Sequence, residues 1–251
     1  MSVRGRGQPL LILNGLGGRL GLLDRLRVEL SDFQTIAFDS PGIGESPPPE
    51  IQARRMFRLR HHADLARAVL CYLGHTKTVS VMGISLGGAV AQELAHRQPD
   101  LVQKLVLAST TSIPYVVTVP SAYLAFFDLR RSLSDEAFLR SAPLLYGGLI
   151  RRNPELIAAL RPHFEPVYSR SRLRQLFAAC MWTSLDFAHL IRQPTLLLTG
   201  DDDPLIPAYN SRILKALIPN AQLEVFAGEG HLLVATSPEE TALAVRRFLL
   251  A

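Results

Sequence analysis

Residues 78–88 read TVSVMGISLGG, an apolar run that stops at Gly83, meets Ser85 two residues on and Gly87 two residues after that. The spacing has a steric reason. Where a strand turns sharply into a helix with a serine at the apex, the serine's backbone is strained, and the residues two positions to either side can carry almost no side chain. The next segment, GGAVAQELAHRQ (87–98), is rich in good helix formers, so strand, turn and helix are all predicted where the pattern needs them. A helix starting at such a turn aims its first N–H groups at the place where negative charge develops when the serine attacks a carbonyl. Ser85 is therefore the candidate nucleophile.

Outward from this turn, short apolar runs bounded by turn residues alternate with helical patterns. They are PLLILNG (9–15), TIAFDS (35–40), TVSVMG (78–83), KLVLAS (104–109), PTLLLTG (194–200) and LEVFAG (223–228). Such alternation predicts an α/β fold, a mostly parallel sheet flanked by crossover helices. Leu65, Val69 and Leu73 recur at helical spacing, and PEETALAVRRFLL (238–250) has its acids early and its bases late, as a terminal helix should. From Ser112 to Asp186 the alternation stops. SDEAFLRSAPLLYG, NPELIAALRPHF and SRLRQLFAACMW read instead as short helices, and an interval so long is not mere loop. It is expected to be a helical cap, residues 112–186, laid over a core of residues 1–111 and 187–251.

A chain of 251 residues with 48% hydrophobic content can bury one sizeable core. Its formal charge of +5 comes largely from arginines scattered along stretches such as RRMFRLRHHADLARAVL (54–70), which read as a solvated helix face rather than a nucleic-acid site. Cys71 and Cys180 fit neither a redox C-x-x-C nor a zinc motif and are expected to be reduced and structural. The opening MSVRGRGQPLLILNG offers only LLIL as an apolar core, shorter than the roughly 7 to 15 residues of a signal peptide. No stretch approaches the ~18 apolar residues of a membrane span. The expectation is a soluble, cytoplasmic protein without repeats or low-complexity tracts.

A serine hydroxyl needs a base. Of the seven histidines, His231 in FAGEGHLLV follows the last predicted strand among glycines, where a loop can carry an imidazole over the sheet edge; His61, His62, His75, His96, His163 and His189 have no such turn. The base needs a carboxylate to hold its tautomer. Between Ser85 and His231, the carboxylates that follow a strand lie in TLLLTGDDDPLIP (195–207), and the pattern leaves Asp201, Asp202 and Asp203 all open. Consecutive aspartates diverge, so no metal is expected there. The oxyanion hole should combine the N–H of Leu86 with that of Leu16 in the NGLGG loop (14–18), which is not a dinucleotide fingerprint because Leu20 stands where the third glycine belongs. No cofactor is expected.

These residues resemble the α/β-hydrolase fold family across nearly the whole chain. In that family the acid ends a G-x-x-D pattern, here Gly200 to Asp203, which implies Asp203 as the triad acid and leaves Asp201 and Asp202 to satisfy the turn. LNGLGG, FDSPGIGES, GISLGGAVAQELAH, LLYGGLIRRNPEL and QLFAACMWTSLDF are further similar to intracellular poly(3-hydroxyalkanoate) depolymerases, through the cap as well as the core. Two departures stand out: only SVRGRG precedes the first long strand, where the family has an extra strand or two, and Leu86 replaces a frequent tryptophan. The resemblance implies a serine ester hydrolase, with Ser85 attacking, His231 shuttling the proton and water releasing the acyl group. The substrate would be a small-molecule or polymeric ester, with a polyester granule surface as one candidate partner, and an apolar cap including Tyr115, Tyr123 and Trp182 would suit aliphatic chains. Acyltransferase, lactonase, perhydrolase and C–C hydrolase chemistry share the same triad, and a non-catalytic ligand-binding homologue is the other alternative. A nucleophilic-aspartate dehalogenase is excluded by Ser85. Oligomeric state is left open.

Overall fold

Each of the six apolar runs forms a strand, and a seventh precedes them in the computed structural model, which describes residues 1–48, 58–113, 119–127 (the side chains of 123 and 127 aside), 134–166 and 169–251. The strands are β1 (Ser2–Arg4), β2 (Pro9–Leu13), β3 (Gln34–Ala37), β4 (Val79–Ile84), β5 (Val102–Ala108), β6 (Thr195–Gly200) and β7 (Ala221–Phe226). Their order in the sheet is β1-β3-β2-β4-β5-β6-β7. All neighbours are parallel except β1, which pairs antiparallel to β3 with Ser2 opposite Ala37. SVRGRG thus supplies a short edge strand. Arg27 staples it, its buried guanidinium donating to Ser2 Oγ and O at 3.1 and 3.2 Å and to Thr35 Oγ1 and O, both at 3.1 Å.

Alternate strand residues feed two faces, and both are covered, as a parallel sheet requires. Leu11, Val81, Leu105 and Leu197 pack against α2 (Leu59–Tyr72), α3 (Leu86–Arg97) and α9 (Tyr209–Leu217). Leu10, Met82, Val106 and Leu198 face α1 (Asp24–Glu29) and α11 (Pro238–Leu250). The buried stripe of α2 is Leu59, Ala63, Ala66 and Leu70; Leu65, Val69 and Leu73, whose helical spacing marks the helix, flank it and are only partly buried. Cys71 and Cys180 are free and exposed.

Between β5 and β6 come α4 (Pro120–Phe127), α5 (Asp135–Tyr146), α6 (Gly148–Arg152), α7 (Glu155–Leu160) and α8 (Arg170–Cys180). Ser134 caps α5 by accepting the Ala137 N–H at 3.1 Å, and Ser169 caps α8 by accepting the Arg172 N–H at 3.2 Å. Phe138, Leu145 and Phe164 of this interval form one apolar cluster with Leu22, Leu205 and Leu232 from loops at the strand ends. The far end behaves differently: Ala178, Ala179 and Trp182 join the cluster under the sheet, and Trp182 Nε1 donates to Glu93 Oε1 at 2.9 Å. Trp182 therefore does not line the cleft, contrary to the sequence reading. Tyr115 and the side chain of Tyr123 lie outside the described residues. Among the described residues no helix is long and apolar enough to cross a membrane.

Candidate active site

β4 ends at Ile84, and Ser85 turns the chain into α3 with φ +53° and ψ −117°, a conformation that costs an L-residue about 1–3 kcal/mol. The surroundings hold it there. The Ser85 N–H donates to Ala108 O at 2.8 Å, and its carbonyl accepts the Thr110 hydroxyl at 2.7 Å. The glycines are needed sterically: a β-carbon on Gly83 would fall 2.6 Å from Gly88 Cα, one on Gly87 would press on Leu13 and come 2.7 Å from Asn14 O, and one on Gly88 would strike Thr110 at 2.5 Å.

His231 follows β7. Its N–H donates to Tyr146 O at 2.8 Å, its Nε2 lies 3.1 Å from Ser85 Oγ, and its Nδ1 lies 2.8 Å from Asp203 Oδ2. With Asp203 ionised and accepting at Nδ1–H, Nε2 is left unprotonated and faces the serine hydroxyl. The other oxygen of Asp203 accepts the N–H groups of Leu205 and Ile206 at 2.9 and 2.8 Å, which fixes the carboxylate. Ser85, Asp203 and His231 are 7, 3 and 5% exposed, so the three sequence candidates meet in one nearly dry chain of contacts.

The three aspartates after β6 point three ways. Asp201 Oδ1 accepts the Gly228 N–H at 2.6 Å, so it bonds to the turn after β7 rather than within its own turn as the sequence suggested. Asp202 does something the sequence reading did not foresee. Its Oδ2 accepts the Gly148 N–H at 2.8 Å and its Oδ1 meets Arg151 Nη1 at 2.6 Å, tying the start of α6 to the aspartate turn. Gly230 and Gly148 approach so closely that a β-carbon on either would overlap the other's segment. The pair of glycines in LLYGG is the signal for that close approach. Among the described residues no group of His, Cys, Asp and Glu is arranged to hold a metal ion.

Leu86 opens α3, where an N–H has no carbonyl four residues back within the helix. Leu16 lies in the loop after β2, which crosses directly in front of the elbow: a β-carbon on Gly15 would be 3.2 Å from Ser85 Cβ. Asn14 ties the loop by accepting the Gly15 N–H at 2.9 Å and donating to Arg19 O at 2.9 Å, and Gln175 of α8 accepts the Gly17 N–H at 3.1 Å. Leu16, Leu22, Phe126, Leu145, Phe164 and Leu232 line an apolar cleft ending at Ser85 and His231, with Tyr146 and Arg172 on its wall. The remaining histidines are elsewhere; His62, for example, is buried in α2, where desolvation and then the neighbouring His61 push its pKa down to about 4.

A family profile described as alpha/beta hydrolase fold matches residues 8–238. The chain is 42% identical over 246 residues to a poly(3-hydroxyalkanoate) depolymerase of Ectopseudomonas oleovorans, covering 96% of this chain and 84% of that protein. It is 27% identical over 261 residues to Lipase 1 of Psychrobacter immobilis, covering 94% and 75% of the two chains. A thermophilic esterase from Thermogutta terrifontis superposes with a TM-score of 0.81 at 27% identity, covering 99% of this chain and 91% of that one. The chain belongs to the alpha/beta hydrolase fold family.

Proposed function

We propose that the protein is a carboxylic-ester hydrolase that cleaves hydroxyalkanoate polyesters or their oligomers through an acyl-enzyme. The observation that carries this is the buried series from Ser85 Oγ to His231 to Asp203 at the end of an apolar cleft. The 42% identity to a poly(3-hydroxyalkanoate) depolymerase supports the substrate class. Residues 112–186 are read as a cap inserted into a core of residues 1–111 and 187–251; its middle part, with Phe138, Leu145 and Phe164, closes the apolar side of the cleft, while its far end, with Ala178, Ala179 and Trp182, packs into the core.

His231 Nε2 takes the proton as Ser85 Oγ bonds to the ester carbonyl carbon. The resulting oxyanion accepts hydrogen bonds from the Leu16 and Leu86 N–H groups. Asp203 keeps the imidazole in the right tautomer and stabilises it once charged. The tetrahedral species collapses, its bond to the alkoxy oxygen breaks, and that oxygen leaves with the proton from His231. Water then gives its proton to His231 and its hydroxyl to the acyl carbon; collapse returns the proton to Ser85 Oγ and frees the acid. A cytoplasmic setting, on a polyester granule or on oligomers from it, is what this reading implies.

Ser85→Ala tests it. The variant is expected to lose hydrolysis of a hydroxyalkanoate trimer and of a chromogenic aliphatic ester together, and turnover at the wild-type rate would overturn the assignment. Product analysis with water, alcohol and peroxide as competing acceptors is expected to give chiefly the free acid; a dominant ester or peracid product would assign transferase or perhydrolase chemistry instead.

A further inference from the structure

The turn that carries Leu16 is held from the interval between β5 and β6. The Gly18 N–H donates to Gly15 O at 3.1 Å, so residues 15–18 close a β-turn, and Gly17, with φ +66°, fits the third position of its type II form. Types I and II share that closing bond and differ chiefly in which way the middle peptide faces, and a glycine in the third position accepts either. The middle peptide here joins Leu16 to Gly17. Its N–H donates to Gln175 Oε1 on α8 at 3.1 Å, which selects one of the two orientations. Gly17 O accepts the Glu165 N–H at 2.8 Å and the Arg19 N–H donates to His163 O at 2.9 Å, so Gly18 and Phe164 pair as an antiparallel bridge. Arg19 Nε and Nη2 lie 3.1 and 3.0 Å from the Glu165 carboxylate, which fastens the same two segments together. From the core, Asp39 Oδ1 accepts the Leu20 N–H at 2.7 Å, beyond the turn. Gln175 is 1% exposed, and its Nε2 has no hydrogen-bond partner among the described residues. A buried amide with an unpaired donor lowers stability. The contribution of its other end is the bond to the turn.

We propose that Gln175 is a positioning residue for ester hydrolysis: by fixing the Leu16–Gly17 peptide it keeps the Leu16 N–H aimed at the ester carbonyl oxygen as that oxygen becomes an oxyanion. The proposal rests on the ester-hydrolase reading above, with Leu16 as a donor. Donors to a developing charge act fully only when held in place before the reaction, and a misplacement of about 1 Å costs about 10²-fold in rate. Gln175 touches no reacting atom in this scheme. It makes α8 part of the apparatus that stabilises charge, whereas the segment around Tyr146 braces the histidine loop through the His231 N–H.

Gln175→Met keeps the length of the side chain and removes the acceptor. On a chromogenic aliphatic ester it is expected to lower kcat about 10²-fold and leave KM within about threefold. The probe 1,1,1-trifluoroheptan-2-one forms an adduct with the serine whose oxygen carries the same developing charge, and it should bind this variant about 10²-fold more weakly. Inhibition by 3-hydroxyhexanoate, which forms no such adduct, should be unchanged. The melting temperature should stay within about 4 °C of wild type, because removing the unpaired amide donor offsets the orphaned Gly17 N–H. Gln175→Glu, which keeps an acceptor oxygen, should recover about tenfold or more of the lost kcat. Three results would overturn the role: kcat of Gln175→Met within about threefold of wild type, a fall in kcat with no loss of ketone affinity, or a Gln175→Glu variant as slow as Gln175→Met. A wild-type protein that hydrolyses no ester would overturn the hydrolase reading and this role with it; an active wild type with an unaltered Gln175→Met variant would overturn this role alone.

Discussion

Two turns at the same end of the sheet contrast sharply. The turn after β4 is specified by what cannot be there: Gly83, Gly87 and Gly88 sit where any β-carbon would meet backbone or Thr110, and so the serine between them is identified by sterics alone. The turn after β6 is specified by partners. Asp201, Asp202 and Asp203 are chemically identical, yet one links to the turn after β7, one ties down α6 and one meets the imidazole. Local steric demand marks a residue in the sequence; a role fixed by distant partners does not, until the chain is folded.

The largest expected effect tests the first turn. Ser85→Ala should lower kcat on a chromogenic ester by roughly a millionfold, the scale seen when a triad nucleophile is removed. Next comes the second turn: Asp203→Asn should lower kcat by about 10⁴, since an amide favours the wrong histidine tautomer. Gly87→Ala should cost about 1–3 kcal/mol in urea denaturation, because its new methyl presses on the carbonyl of Leu13. It should also slow turnover by displacing the loop that carries Leu16. Asp202→Asn keeps an acceptor for Gly148 but gives up the charge facing Arg151, a partly exposed pair, so it should cost no more than about 1 kcal/mol and a few-fold in kcat/KM. Asp201→Asn should stay within about 0.5 kcal/mol of wild type, with turnover unchanged. If Asp202→Asn proved more damaging to kcat than Asp203→Asn, the division of the three aspartates would be wrong.

Much of the fold was legible because the strands are short apolar runs with turn residues at both ends, and parallel strands covered on both faces must read that way. Ser85 and His231 were legible for a related reason: each stands among glycines where a loop crosses the sheet edge. Asp203 came only from the family pattern, since nothing in three adjacent carboxylates separates them. The interval 112–186 was recognisable as helical, but not its attachments. Trp182 looked like a cleft residue because it is large and apolar, yet its indole N–H finds Glu93 on α3. Arg172 and Gln175 gave no signal at all, because a polar residue on the inner side of a short helix looks the same in sequence as one facing water. The helix α2 was legible from Leu65, Val69 and Leu73, but not its buried stripe, because Ala63 and Ala66 carry less hydrophobic weight than the leucine and valine beside them.

Covalent labelling tests the central claim most directly. After reaction with diisopropyl fluorophosphate, peptide mapping by mass spectrometry is expected to find one diisopropylphosphoryl group, on Ser85. The rate of labelling should fall steeply in Asp203→Asn and stay near wild type in Asp202→Asn. A label on another residue, or labelling of Ser85 that does not depend on Asp203, would contradict the account.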